Sequence, residues 1–508
     1  MAFAAGGACA PAADLRLHRK LLMYENDVII IGAGGIGCAV ARELSRYELN
    51  ITVLEKECDV AGGISGRNSA VVHAGFNNRP GSLMAKLCVR GNQGFETICR
   101  QLDVPYQKTG KLLVAFDEED LEILRGIIAQ GEANGCRGLH LVDQAELQRL
   151  MPGVGGIGGM LSSETAVFDP FLYCIALAEN ALQNGARFVF NSEVVGIDRA
   201  SSDARFTVQT ADGRQYRASY LINCAGLYSD RIAEMAGIHD YRIYPCRGEY
   251  FILDKIADEL LPLPVYPAPK AGIGGLGVHL TPTTAGNIII GPSAEYIDDR
   301  TDLACTAEVM EQLFAEAKAL LPALDRRQII GSYAGLRPKL TLPKEGGYKD
   351  FVIQEESSCP GLINLIGIES PGLTASVPIA EMVADIIAKQ KPLHEKSNFV
   401  EGRKRPPRLR DLDETQQAAL IAEDPEYGEI ICRCQKVSKR EIRNAIENPL
   451  GARSISAIKY RAWATTGRCN GGYCLTRIVD MLVREYGMKP EEITYRSAGS
   501  ELFSGRVK

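Results

Sequence analysis

No stretch of about 18 uninterrupted apolar residues occurs in the chain, which excludes a helix that crosses a bilayer, although peripheral membrane docking stays open. There is also no helix-length face of Lys and Arg interleaved with aromatic residues. With 57 basic against 63 acidic residues the formal charge is −6, so nucleic acid is a poor partner and an anionic substrate must be met by local cations. Tryptophan occurs once and histidine 6 times, so candidates for a general base are few. The 15 cysteines are scattered, unlike the dense framework of a short secreted chain, and a reducing, cytoplasmic setting is expected. Residues 1–22 are Ala/Gly-rich and then basic, the reverse of a secretion signal's order, and residues 1–23 read as a disordered extension.

What remains is a globular composition, 46% hydrophobic and 24% charged over 508 residues, too long for one core and expected to form at least two domains. Asp27-Val28-Ile29-Ile30-Ile31 reads as a buried parallel strand that runs into Gly32-Ala33-Gly34-Gly35-Ile36-Gly37. A helix over residues 38–47 and a second strand at 51–54 ending on Glu55 complete a βαβ unit. Its glycines allow a tight turn and close approach to a pyrophosphate at the helix N-terminus, and Glu55 stands where a carboxylate accepts from a ribose hydroxyl. The six-residue pattern recurs at Gly153-Val154-Gly155-Gly156-Ile157-Gly158 and Gly272-Ile273-Gly274-Gly275-Leu276-Gly277, but without strand, helix and acid around it, so both read as loops.

This fingerprint does not separate a nicotinamide from a flavin. Further motifs follow in order: Ser65-Gly66-Arg67-Asn68-Ser69-Ala70-Val71-Val72-His73, Gly110-Lys111-Leu112, Asn223-Cys224-Ala225-Gly226, Gly277-Val278-His279-Leu280-Thr281, Gly335-Leu336-Arg337-Pro338 and Ser370-Pro371-Gly372-Leu373-Thr374. Over roughly residues 24–390 the chain resembles the FAD-dependent glycerol-3-phosphate and L-2-hydroxyglutarate dehydrogenase group of the D-amino-acid-oxidase-like superfamily. The resemblance implies FAD-binding segments at about 24–80, 172–240 and 350–390, and a substrate domain at about 81–171 and 241–349. It implies FAD contacts at Gly32, Gly34, Gly35, Ile36, Gly37, Glu55, Ser65, Asn68, Ser69, Val194, Ala225, Gly226, Gly372, Leu373 and Thr374.

Beyond it, residues 391–428 contain the basic, proline-containing run 403–410 and read as a solvated linker. Cys432-x-Cys434 and Cys469-x4-Cys474 then frame a capping box, Ser438 to Glu441, and a second helical pattern after Cys474, so two thiol pairs are expected at two helix starts over 429–490, with 491–508 as a tail. Four thiolates suit zinc or an iron-sulfur cluster. The spacing resembles the bacterioferritin-associated-ferredoxin-like [2Fe-2S] domain appended to anaerobic glycerol-3-phosphate dehydrogenases, which makes Cys432, Cys434, Cys469 and Cys474 its ligands. The other cysteines read as buried small residues.

The expected fold is therefore α/β: a Rossmann-type FAD-binding domain with an interleaved α+β substrate domain, plus a small helical four-cysteine [2Fe-2S] domain. A flavin with a cluster implies a dehydrogenase that relays electrons to an external acceptor or partner redox subunit. His279 is the expected base or substrate orienter and His73 the second candidate, because both stand in the matched motifs. Arg337 is the expected anion clamp and Arg247 a weaker one. Glycerol 3-phosphate leads as substrate. A 2-hydroxy acid such as L-2-hydroxyglutarate, an amine or amino acid, and a non-catalytic electron-transfer or redox-sensing subunit stay open.

Overall fold

The computed structural model describes residues 23–199, 205–269 and 277–505. The expected extension up to residue 22, and the second glycine decoy up to residue 276, lie outside the described residues. Gly153 to Ile157 form the expected loop, and Gly158 opens the strand Gly158–Ser162.

A 6-stranded sheet organises the first unit, in the spatial order Arg187–Val189, Ile51–Leu54, Val28–Ile31, Tyr220–Asn223, Leu362–Ile366, Val352–Glu355. Five of these strands run parallel and the last is antiparallel. Val28–Ile31, Ile51–Leu54 and Leu362–Ile366 are buried along their whole length, the continuous apolar pattern of strands covered on both faces. The helices Gly35–Leu44, Pro170–Gln183 and Ser376–Ala388 cover one face. A 4-stranded sheet that includes Val194–Arg199 and the strand Met23–Glu25 stands on the other side. Met23 is thus paired with Gln215, and the expected disordered extension does not reach residue 23.

The second unit is a 9-stranded sheet. It is built from strands between Lys111 and Ser162 and between Tyr244 and Lys339, and its core is separate from the first. One expected boundary moves. Leu83–Gln101, assigned to the substrate segment, is a helix whose Met84, Leu87, Phe95 and Ile98 pack into the core of the parallel sheet. Its apolar stripe is satisfied there, against the helix Ser376–Ala388.

The C-terminal unit has its own core under the helices Lys439–Ile446, Ile455–Ala462 and Leu475–Arg484. The Ser438–Glu441 capping box forms as read. Residues 491–505 are not a free tail, because Ile493 is fully buried in this core and Thr494 bridges Glu501. The basic run is not solvated either. Arg403 meets the buried Glu179 at 2.6 Å, Arg405 pairs with Asp103 and Asp411, and Arg408 is buried. Residues 391–428 therefore strap the C-terminal unit to the first one, and they contain the helix Glu414–Glu423.

Three side-chain contacts fix the seam between these units. Arg461 forms a buried ion pair with Asp59 at 2.5 Å, the Trp463 indole N–H donates to Asp169 at 3.0 Å, and Phe171 stacks on Tyr460 at 3.7 Å. On the other side Arg468 pairs with Asp254 of the 9-stranded sheet at 2.8 Å. Among the described residues no helix is long and apolar enough to cross a membrane.

Candidate functional site

The strand Val28–Ile31 ends at Gly32, whose φ of +103° turns the chain into the helix Gly35–Leu44. A Cβ on Gly37 would fall 1.9 Å from the Gly32 carbonyl oxygen, so only glycine lets helix and turn approach this closely. The Gly35 N–H donates to Ser65 Oγ at 2.8 Å. The Glu55 carboxylate accepts from the Ala33 N–H at 2.6 Å and the Glu57 N–H at 2.9 Å, while burial pushes its pKa up. Replacing Gly37 with Ala is expected to abolish FAD retention, because the added methyl meets backbone and not a yielding side chain; flavin absorbance of the purified variant, with circular dichroism as the folding control, checks this.

A cavity of about 1240 Å³ opens above this turn. It is larger than the usual space for one small ligand, as an extended dinucleotide with a substrate at its end requires. Gly32, Gly34, Ile36, Glu55, Ser65, Asn68, Ser69, Val194, Ala225 and Gly226 line it. Gly372, Leu373, Thr374, His73, His279 and Arg337 also line it, so these expected residues face one space. Gly35 and Gly37 stand behind the wall and shape it.

His73 contacts Ser370 Oγ through Nε2 at 3.1 Å, and burial with the nearby Lys111 charge pulls its pKa down to about 3. His279 is buried, stacks on Tyr266 at 3.9 Å, and shares a hydrogen bond through Nδ1 with Thr281 Oγ1 at 3.2 Å. Burial first, then the charge of Lys111, holds it well below the ordinary histidine range. Both imidazoles are thus held in the neutral form.

Arg337 donates to the Ser293 carbonyl at 3.1 Å and approaches Cys246 Sγ at 3.6 Å, and among the described residues no carboxylate pairs with it. Arg247, the weaker clamp candidate, is corrected: it does not line the cavity and is held by Glu295 and Asp302 at 2.6 Å each, and Glu249 at 3.5 Å. The antiparallel register explains the difference. Cys246 stands opposite Arg337, and Arg247 stands opposite Leu336, so the two arginines leave opposite faces of the sheet.

Lys111, which stands in one of the matched motifs without an expected role, is a buried cation 1% exposed. Its Nζ lies 4.3 Å from the Tyr266 ring centre and 4.6 Å from that of Phe76, with no hydrogen-bond or ion-pair partner among the described residues. Burial brings its pKa down to about 7. The signal available in the sequence was a lysine leading the otherwise apolar strand Lys111–Ala115. His140 is exposed on the strand Leu139–Asp143 and does not line the cavity.

The four C-terminal cysteines form two thiol pairs. Cys434 Sγ lies 3.4 Å from Cys469 Sγ, both exposed, and Cys432 and Cys474 are hydrogen-bonded and buried. That bond and the N–H groups of Thr465, Gln435 and Cys434 favour the Cys432 thiolate. Two thiol pairs offer two ligands to each iron of a [2Fe-2S] cluster. The expectation of two helix starts holds for Cys474, the N-cap of Leu475–Arg484, but Cys432 ends the strand Ile430–Cys432 and Cys434 lies on the tight turn that leads to Val437–Ser438.

Residues 27–386 match the FAD dependent oxidoreductase family, and residues 430–484 match the BFD-like [2Fe-2S] binding domain. A glycerol 3-phosphate dehydrogenase of Caloramator mitchellensis is 37% identical over 95% of this chain and 99% of its own length. The human mitochondrial L-2-hydroxyglutarate dehydrogenase is 31% identical over 72% of this chain and 89% of its own. Among solved structures, the dithionite-reduced L-alpha-glycerophosphate oxidase of Mycoplasma pneumoniae with FAD bound is 30% identical, with a TM-score of 0.71 over 76% of this chain and all of that one.

Proposed function

The chain belongs to the FAD dependent oxidoreductase family and carries a BFD-like [2Fe-2S] binding domain, and from that premise we propose that it oxidises glycerol 3-phosphate to dihydroxyacetone phosphate and delivers the electrons to an external acceptor. The observation that carries this reading is the Arg337 guanidinium, which among the described residues is in ion-pair contact with no carboxylate, in one cavity with two neutral histidines. Arg337 grips the phosphate, and His279 takes the proton of the hydroxyl being oxidised. His73, held by Ser370, orients the same carbon. FAD supplies acceptance of the hydride from that carbon, and the cluster supplies release of the electron pair one electron at a time. Lys339 pairs with Glu369 at 3.1 Å beside Arg337, so its charge is already met and Arg337 carries the anion. Phosphate is favoured over carboxylate because the glycerol 3-phosphate dehydrogenase relative matches through the cluster domain, 95% of the chain, while the human hydroxyglutarate relative matches 72%.

Mixing the air-free holoenzyme with glycerol 3-phosphate is the test. Bleaching of both the flavin and the iron-sulfur absorption supports the reading. Bleaching only with L-2-hydroxyglutarate moves the substrate to the 2-hydroxy acids, whose carboxylate the Arg337 fork also fits.

The histidines make a pH prediction. A base with a depressed pKa is competent above that value and is lost as pH falls through it. With His73 at about 3 and His279 also depressed, kcat/KM should show no histidine limb between about pH 5 and 8, once the substrate's own phosphate ionisation near about 6 is divided out. Lys111→Met removes a positive charge from both imidazoles, raises their pKa values and moves the acid limb upward. A wild-type inflection at the ordinary value of about 6.5 contradicts this.

A further inference from the structure

The two cysteine-bearing loops hold Arg433, Lys436 and Arg468 and no acidic residue between Cys432 and Lys436 or between Gly467 and Cys474. Cys434 and Cys469, the exposed thiol pair, lie among these cations. Among the described residues neither Arg433 nor Lys436 has a carboxylate partner, nor does Arg477 on the following helix; Arg468 alone shares one, Asp254. Tyr473 is 38% exposed, with the Arg433 guanidinium 4.1 Å from its ring centre and that of Arg477 at 5.6 Å. This is a cationic rim around an exposed aromatic, on a chain whose overall charge is −6.

We propose that this face is the electron exit, a docking surface for an acidic one-electron carrier protein. The proposal rests on the [2Fe-2S] reading of the four cysteines. The charge pattern carries the choice of partner. A patch whose sign opposes that of the whole molecule orients an acidic partner before contact, while it turns a basic one away. Tyr473 offers the rigid aromatic anchor that protein interfaces favour at their centre. The same unit is held to the parallel-sheet unit through Arg461, Trp463 and Tyr460, and Gln435, Arg468 and Asn470 of its loops reach the 9-stranded sheet, which leaves Arg433, Lys436 and Tyr473 exposed for a partner. One electron leaves at a time: the carrier is reduced by one electron, the cluster is reoxidised by one, and two carriers are consumed per substrate oxidised.

The test uses the full holoenzyme and two soluble probes of opposite charge, plastocyanin as the acidic acceptor and cytochrome c as the basic one. After air-free reduction, reoxidation is followed by stopped flow, and binding is measured separately by surface plasmon resonance with oxidised plastocyanin. Wild type is expected to bind and reduce plastocyanin faster than cytochrome c, with both signals falling as salt rises past the point where the screening length is about 8 Å. The double variant Arg433→Glu and Lys436→Glu should lose about ten-fold in rate with plastocyanin. It should keep the cluster's electron paramagnetic resonance signal and its rate with a neutral quinone. Salt-insensitive binding, equal wild-type rates with the two proteins, or an unchanged plastocyanin rate in the variant overturns the proposal. If the double variant loses its cluster signal, Lys436→Glu alone and the wild-type salt series decide. Photochemical reduction replaces glycerol 3-phosphate if the latter fails to bleach the flavin, so that a wrong substrate and a wrong docking surface give different results.

Discussion

Arg337→Ala is expected to lower kcat/KM for glycerol 3-phosphate by about two to three orders of magnitude, mainly through KM, while the purified protein keeps its flavin spectrum. The size follows from removing one partner of a desolvated charge pair, roughly 3–4 kcal/mol at 1.4 kcal/mol per decade. Flavin retention follows from position, since Arg337 lines the cavity together with His279 and belongs to the 9-stranded sheet, apart from the Gly32–Gly37 turn. Arg337→Lys should recover part of the loss, because a point charge replaces a two-pronged donor. The companion variant Arg247→Ala should change KM little. Its charge is already divided among Glu249, Glu295 and Asp302, and its loss should appear as a lower melting temperature. An unchanged KM in Arg337→Ala removes the anion clamp.

The second large effect is expected from Cys474→Ser. The variant should lose the iron-sulfur absorption and at least about 99% of electron transfer to a one-electron acceptor protein, because the buried Cys432 and Cys474 pair supplies half of the ligand set. Flavin reduction by substrate should survive, since the substrate end of the cavity draws no residue from the C-terminal unit. A variant that retains the cluster signal, or one in which substrate no longer bleaches the flavin although FAD is bound, breaks this division of labour. Seryl oxygen is a poorer ligand for this metal than thiolate, so the substitution removes ligation with little change in volume.

Local chemistry was readable because it depends on neighbours in the chain. The strand, glycine turn, helix and Glu55 form a continuous stretch, and the capping box at Ser438 needs only Glu441 three residues on. The two cysteine motifs were equally local. Their pairing was not: Cys434 faces Cys469 and Cys432 faces Cys474, so each pair takes one thiol from each motif. That crossed arrangement arises when the hairpin and the start of Leu475–Arg484 meet.

The dinucleotide turn and the two cysteine motifs were legible in the sequence by itself, because they are residue types at fixed spacing, and the family resemblance added His73, His279 and Arg337 as candidates. Only the tertiary structure decided which cations are free. Arg247 and Arg337 are both arginines in strands, and antiparallel register sends one to three carboxylates and the other to the cavity. Lys111 becomes a buried, unpaired charge only when the strand Lys111–Ala115 lies beside Val265–Pro267 and brings Tyr266 over it, followed by His279. The basic run at 403–410 looked like solvated linker until Glu179, Asp103 and Asp411 were found against it, while Arg433 and Lys436 kept their charge. A charge acts according to what compensates it, and compensation comes from residues far apart in the chain that only the fold brings together.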